Sequence, residues 1–202
     1  MKLTVISDTH MRHEELGALS GDVLIHCGDV LDLFDSQADD LDRVDDWFGT
    51  LDFDLILCIG GNHDFALQER KRLRNAVYLE DQSYAYNGVN FYGSPWVPDL
   101  PHHAFHADEG TRKEKWALIP EETDVLITHS APFGTLDQSR HGRKLGCPFL
   151  PVHVDRVKPR YHLFGHVHAS GGVVRSGSRM DLNASCYANA NEPLRAIHKI
   201  EI

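Results

Sequence analysis

Short, largely apolar runs recur along the chain at residues 3–7, 22–26, 55–59, 125–127 and 161–164. Runs of this length, bounded by glycine and polar clusters, predict buried strands rather than helices. Between the first three runs the spacing becomes helical. Residues 12–19 predict a short helix, and 65–74 predict the helix after the third strand. Residues 36–51 predict a longer one, N-capped by Ser36, with Leu41, Val44, Trp47 and Phe48 along its inward face. Strand and helix in alternation favour a parallel sheet joined by right-handed crossovers.

The texture then changes. Tyr84-Ala85-Tyr86 and Val89-Asn90-Phe91-Tyr92 flank Asn87-Gly88, a type I′ hairpin signal. Residues 96–120 read as loop, with Pro98, Pro101 and the patch His102, His103 and His106, and with a short helix over 111–118. A further helix is predicted over 148–157, and strands over 172–175, 180–183 and 194–200. The class is α/β, and one domain over 1–202 is the expectation for a chain of this length.

Composition narrows the function classes. No apolar stretch approaches the ~20 residues that span a bilayer, and residues 1–6 run straight into a strand pattern without a secretory core. A cytoplasmic protein with no membrane partner is expected. The formal net charge of -10 argues against a nucleic acid polymer as partner, because such binding rests on clustered Lys and Arg. Cys27, Cys58, Cys147 and Cys186 have no metal-binding spacing, and reduced core thiols are expected.

The chemistry lies at the strand ends. Five apolar runs finish in metal-binding residue types: Asp8-x-His10, Gly28-Asp29, Asn62-His63-Asp64, His129 and His166-x-His168. Open α/β sheets place ligands at the carboxyl ends of their strands. Asp, Asn and His together suit Mn, taken first, or Fe, Zn, Co or Ni. The set is large for one ion and suits two, which lie ~3.5–4 Å apart and need a bridging ligand. A carboxylate can bridge, and Asp29 is the natural choice. Taken singly, Asp8 and Asp29 read as helix caps and His129 as a structural residue. His26, His162 and His198 read as strand histidines, and His13, His102, His103, His106, His141 and His153 as surface. The order and joint occurrence of the five pieces point to a metal centre.

This ordered pattern resembles the calcineurin-like metallophosphoesterase superfamily, whose D-x-H, G-D, G-N-H-[DE], H and G-H-x-H blocks are all met between residues 5 and 168. Tyr92-Gly93-Ser94-Pro95-Trp96, Leu145-Gly146-Cys147 and Asn183-Ala184-Ser185 extend the likeness toward a small single-domain branch. That branch is similar to the MPPED-type proteins, near the class III cyclic-nucleotide phosphodiesterases. The resemblance implies a two-sheet α/β sandwich with its active site at the carboxyl ends of the strands. It implies Asp8, His10, Asp29 and His168 around one divalent ion and Asp29, Asn62, His129 and His166 around the second. It also implies that His63 lies near the substrate phosphate.

Two cations sharing Asp29 would lower the pKa of a water between them, and the hydroxide would attack phosphorus in line. His63 would assist the leaving oxygen, with Asp64 as the expected orienter of its ring. The expected substrate is a small phosphodiester such as a cyclic nucleotide. Trp96 is a candidate to stack on a base, and Arg140, His141 or Arg143 to contact phosphate or sugar, although packing and solvation explain each of these more simply. The alternatives are a phosphomonoesterase or a catalytically silent scaffold of the same fold. A homodimer enters only through residues 96–116, which read equally as a lid, a dimer surface or an ordered loop.

Overall fold

The computed structural model describes residues 1–32, 37–188, 192, 194–195 and 197–202. Its strands are β1 (Lys2–Ile6), β2 (Val23–His26), β3 (Leu55–Cys58), β4 (Val77–Tyr78), β5 (Gln82–Tyr86), β6 (Val89–Ser94), β7 (Val125–Thr128), β8 (Tyr161–Phe164), β9 (Gly172–Ser176), β10 (Arg179–Asn183) and β11 (His198–Glu201). The α-helices are α1 (Asp40–Gly49), α2 (Phe65–Arg70), α3 (Glu109–Ala117) and α4 (Leu150–Val157). One sheet runs β11-β1-β2-β3-β4 and the other β5-β6-β7-β8-β10-β9. Neighbours from β1 through β4 pair in parallel, as do β6, β7, β8 and β10, while β11, β5 and β9 add antiparallel edges.

Alternation along the strands explains the layering. Leu3, Val5, Val23, Ile25, Leu55 and Leu57 point between the sheets and meet Phe91, Val125, Ile127, Leu163 and Leu182 of the second. The intervening Ile6, Leu24, Ile56 and Cys58 face outward onto Leu41, Val44 and Phe48 of α1 and Leu67 of α2. On the far side Tyr92 and Leu126 meet Trp116 of α3 and Leu150 and Val154 of α4. Each sheet is thus covered on both faces, as parallel strands require. Each aliphatic side chain so buried contributes ~1.5–3 kcal/mol. The two-sheet α/β sandwich expected from the sequence is the fold observed. No helix among the described residues is long and apolar enough to cross a membrane.

Several boundaries differ from the sequence expectation, each for a local reason. The helix over 12–19 is a single 3-10 turn, His13–Leu16, ended by Gly17 at φ 66°. The long helix begins at Asp40, and its expected cap, Ser36, lies outside the described residues. The helix expected to reach residue 74 stops at Arg70, because Lys71 turns left-handed at φ 52°. Arg74 and Asn75 then donate their backbone N–H groups to the buried Asp45 carboxylate at 2.8–3.1 Å. Helix α3 begins two residues early because Asp108 accepts the Thr111 N–H at 2.8 Å. The hairpin turn has Asn87 at φ 48° and Gly88 at φ 77°, positive at both positions as a type I′ turn demands.

Candidate metal centre

Parallel strands carry their carboxyl ends to one edge, so β1, β2, β3, β7 and β8 all deliver their following loops there. The chain must turn sharply to aim side chains inward. Asp8 (φ 56°), His10 (φ 44°), Asp29 (φ 56°) and His166 (φ 68°) all adopt left-handed backbone. Such conformations cost ~1–3 kcal/mol each outside glycine and cluster at functional sites. The loops after β1 and β2 hold one another in place. Asp8 N–H donates to the Gly28 carbonyl at 3.0 Å, His10 N–H to that of Asp29 at 3.2 Å, and Met11 N–H to that of Val30 at 3.0 Å.

Two donor sets result. Asp8, His10, Asp29 and His168 each offer a ligand atom, and these atoms all lie within 4.8 Å of one another. His10 Nε2 stands 3.2 Å from His168 Nε2, which in turn is 3.3 Å from Asp8 Oδ1. Beside them, Asn62 Oδ1 lies 3.1 Å from His129 Nε2 and 2.7 Å from His166 Nδ1, while His129 Nε2 is 3.4 Å from Asp29 Oδ2. Asp29 Oδ2 is also 3.9 Å from His10 Nε2, so it faces both sets.

The imidazoles are oriented by groups behind them. His10 Nδ1 donates to the Leu31 carbonyl at 3.1 Å and His129 Nδ1 to the Cys27 carbonyl at 2.8 Å, which leaves both Nε2 lone pairs aimed into the cluster. Ser185, at the end of β10, donates its hydroxyl to Asp8 Oδ2 at 2.7 Å, and the His166 N–H reaches the same carboxylate at 3.0 Å. Gly61 and Gly165 are required by close approach. A Cβ on Gly61 would collide with Asp29, and one on Gly165 with Ser7 and Asp8.

This donor set fits two divalent ions. Imidazole nitrogens and carboxylate oxygens converge at short range, the ligand types that divalent ions of this kind take. Electrostatics agree. Burial alone would raise the Asp8 carboxyl and lower the His168 imidazole, yet their pairing reverses both shifts. In the same way, burial opposes but Asp29 drives His129 up to about 9, and Asp29 itself is pulled down. His166, deeply buried and next to His129, is pushed down to about 4. The carboxylates thus favour positive charge beside His129 and His168, while burial keeps His166 and His63 toward the neutral form.

His63 sits beside the cluster. Its backbone N–H donates to Asp29 Oδ1 at 2.8 Å, its Nε2 is 3.9 Å from Asp29 Oδ2, and its ring lies edge-on to His10 at 4.6 Å. The expectation that Asp64 orients this ring is corrected. Asp64 Oδ2 accepts the N–H groups of Asp29 at 2.8 Å and Gly61 at 2.7 Å, and Oδ1 accepts that of Leu31 at 2.9 Å. Asp64 therefore braces the loop holding Asp29, and His63 Nδ1 is buried without a partner.

Other expectations separate. Trp96 donates from Nε1 to Asp81 at 3.0 Å and packs with the α3 side of the second sheet, which is a structural role. Arg140, His141 and Arg143 are exposed, with Arg140 Nε bonded to His141 Nε2 at 3.1 Å. Arg140 and Ser139 do reach the mouth of a cavity of about 390 Å³, whose walls are Leu145, His166, Val167, His168, Ala169 and Ala188. His26 and His162 are core residues bonded to Thr9 and Thr128. His13, expected on the surface, is buried against Trp47, and His103, His106 and His153 are half-buried. All four cysteines are buried free thiols.

Comparison with known proteins agrees with this geometry. The family model for calcineurin-like phosphoesterases matches residues 1–170. The chain is 32% identical to human metallophosphoesterase domain-containing protein 1, over 96% of this chain and 69% of that protein. It is 31% identical to UPF0046 protein K07C11.7 of Caenorhabditis elegans, over 95% of this chain and 72% of that one. Among solved structures, one superposes with a TM-score of 0.65 at 17% identity over 91% of this chain and 90% of that chain. GAP50, the anchor in the inner membrane complex of Plasmodium, superposes with a TM-score of 0.59 at 7% identity, covering 98% and 75%. At such identities the structural likeness is one of fold alone.

Proposed function

The chain belongs to the calcineurin-like phosphoesterase family, and on that premise we propose that it hydrolyses small phosphodiesters with two divalent ions. Asp8, His10, Asp29 and His168 would hold one ion, and Asp29, Asn62, His129 and His166 the other. The observation that carries the reading is the position of Asp29. Its Oδ2 faces imidazoles of both donor sets, and its Oδ1 is anchored by the His63 N–H.

Ions bound there would neutralise phosphoryl oxygens and lower the pKa of a water toward neutrality. The chain's own residues supply the rest. His63 holds its Nε2 3.9 Å from Asp29 Oδ2, where it can hydrogen-bond the ester. Ser185 and the His166 N–H keep Asp8 turned inward, and Asp64 keeps the Asp29 loop closed. The cavity beside His166 and His168, about 390 Å³, falls in the ~300–1,000 Å³ range of small-ligand sites. Its mostly aliphatic walls and the rim Arg140 suit a compact organic group on an anion, such as a cyclic nucleotide. The net charge of -10 works against a nucleic acid polymer.

The test is hydrolysis of bis(p-nitrophenyl) phosphate against p-nitrophenyl phosphate by apo protein resupplied with Mn, with a cyclic-nucleotide panel alongside. Metal-dependent turnover favouring the diester is expected. Preference for the monoester would overturn the diesterase assignment. Silence on every ester, with two metals verified in the protein, would overturn hydrolysis itself.

A further inference from the structure

Residues 97–107 are tied firmly to the turn that carries Asn62 and His63. Ala104 N–H donates to the Asn62 carbonyl at 3.1 Å, Val97 N–H to that of Phe105 at 3.0 Å, and Ala107 N–H to that of Val97 at 3.3 Å. Phe105, itself at φ 52°, seats its ring where a Cβ on Gly60 would stand. Ala104 and Phe105 are completely buried. The loop therefore cannot shift without moving the turn that bears His63.

The residue presented by this fastening is His103. Its ring centroid lies 6.3 Å from that of His63, with the planes at 53°. Both rings turn Nδ1 into the protein, where it is buried, so Nε2 is the nitrogen each can offer to a ligand. An N–H···O bond spans ~2.7–3.2 Å, so two rings at this separation can both reach one oxygen placed between them. His63 touches the metal-facing His10 on one hand and approaches His103 on the other. The order His10, His63, His103 thus leads away from the cluster.

We propose that His103 acts on the phosphoester together with His63, the two rings hydrogen-bonding the leaving-group oxygen from either side. This role rests on the hydrolase reading above. It assigns to a histidine expected on the surface a part in the reaction that the metal-binding motifs do not contain. Hydrogen bonds of this kind stabilise charge as it develops on the departing oxygen, so they matter most for esters of weakly acidic alcohols.

The test compares wild type, H103A and H103Q on methyl aryl phosphodiesters whose phenol ranges from p-nitrophenol to phenol. In the metal-loaded protein, H103A should lose at least about tenfold in kcat on the phenyl ester and clearly less on the p-nitrophenyl ester. H103Q, which keeps an N–H donor, should recover part of the loss, and metal content should be unchanged in both. Independently of turnover, the His103 imidazole resonance of zinc-loaded wild type, assigned with H103Q, should move on addition of inorganic phosphate. An active wild type with an equal loss across all leaving groups, or none, would overturn the role of His103 and leave the hydrolase intact. A silent wild type with its metals in place would overturn both.

Discussion

Replacing Asp64 with Asn tests what the buried carboxylate does. In the wild type Oδ2 accepts two backbone N–H groups, from Asp29 and Gly61, and Oδ1 accepts that of Leu31. The amide has one oxygen. Turned to keep the pair of bonds, it points its NH2 at the Leu31 N–H, donor against donor. A buried donor left unpaired costs ~1–3 kcal/mol, and the two retained bonds each weaken by ~0.5–1 kcal/mol as the acceptor loses its charge. One effect runs the other way. Burial, and then Asp29, push the Asp64 carboxyl up to about 7, so removing its charge relieves part of that conflict. At ~1.4 kcal/mol per pKa unit that relief is of the same order as the ~2–5 kcal/mol lost in hydrogen bonds, so at pH 8 global stability should change by no more than ~2 kcal/mol, or ~4–8 °C in the thermal midpoint. The bracing role is read in amide hydrogen exchange of chelator-treated protein, where the Asp29, Gly61 and Leu31 N–H groups should exchange at least about tenfold faster in D64N. Unchanged exchange at all three, with slowed turnover, would refute the bracing role and restore an orienting role toward His63.

His63→Ala should keep both metals by elemental analysis and lose most turnover, at least about a hundredfold, as expected for removal of a group acting on the reacting ester; equal activity would remove its catalytic role. Asp29→Asn should weaken both ions together in a metal titration, and loss of one ion alone would refute the bridge. Asp45 gives a pH prediction remote from the metals. Burial alone would raise its carboxyl, but the Arg74 and Asn75 N–H groups and the Arg74 guanidinium hold it below its ordinary value. A depressed folded pKa stabilises above the unfolded value of ~3.9 and is lost as pH falls through the folded one. Wild type should therefore lose stability below about pH 4 through a step that Asp45→Asn lacks, and parallel pH profiles of the two proteins would sink the argument.

Much of the sandwich can be read directly from the chain because its signals are local. The largely unbroken apolar runs Leu3 to Ile6 and Leu55 to Cys58 state that both faces of a strand are covered, and Asn87-Gly88 states the turn. The candidate ligands could be named for the same reason, since each follows its own strand by one to four residues. The shortened α2 could not. Lys71 leaves the helix left-handed, and the chain beyond it is held by Asp45, which captures the Arg74 and Asn75 N–H groups about 30 residues away.

What tertiary structure alone decided are the partners that chain neighbours cannot specify. Asp64 reads as the neighbour of His63, yet its oxygens serve Asp29 and Leu31, 35 and 33 residues distant. Ser185 holds Asp8 across 177 residues, and His103 is brought to His63 by backbone bonds to Asn62. Strand, turn and ligand type follow from side-chain size, polarity and backbone preference within a few residues. Which donor meets which acceptor follows from how two sheets stack, and only the assembled edge of both sheets settles it.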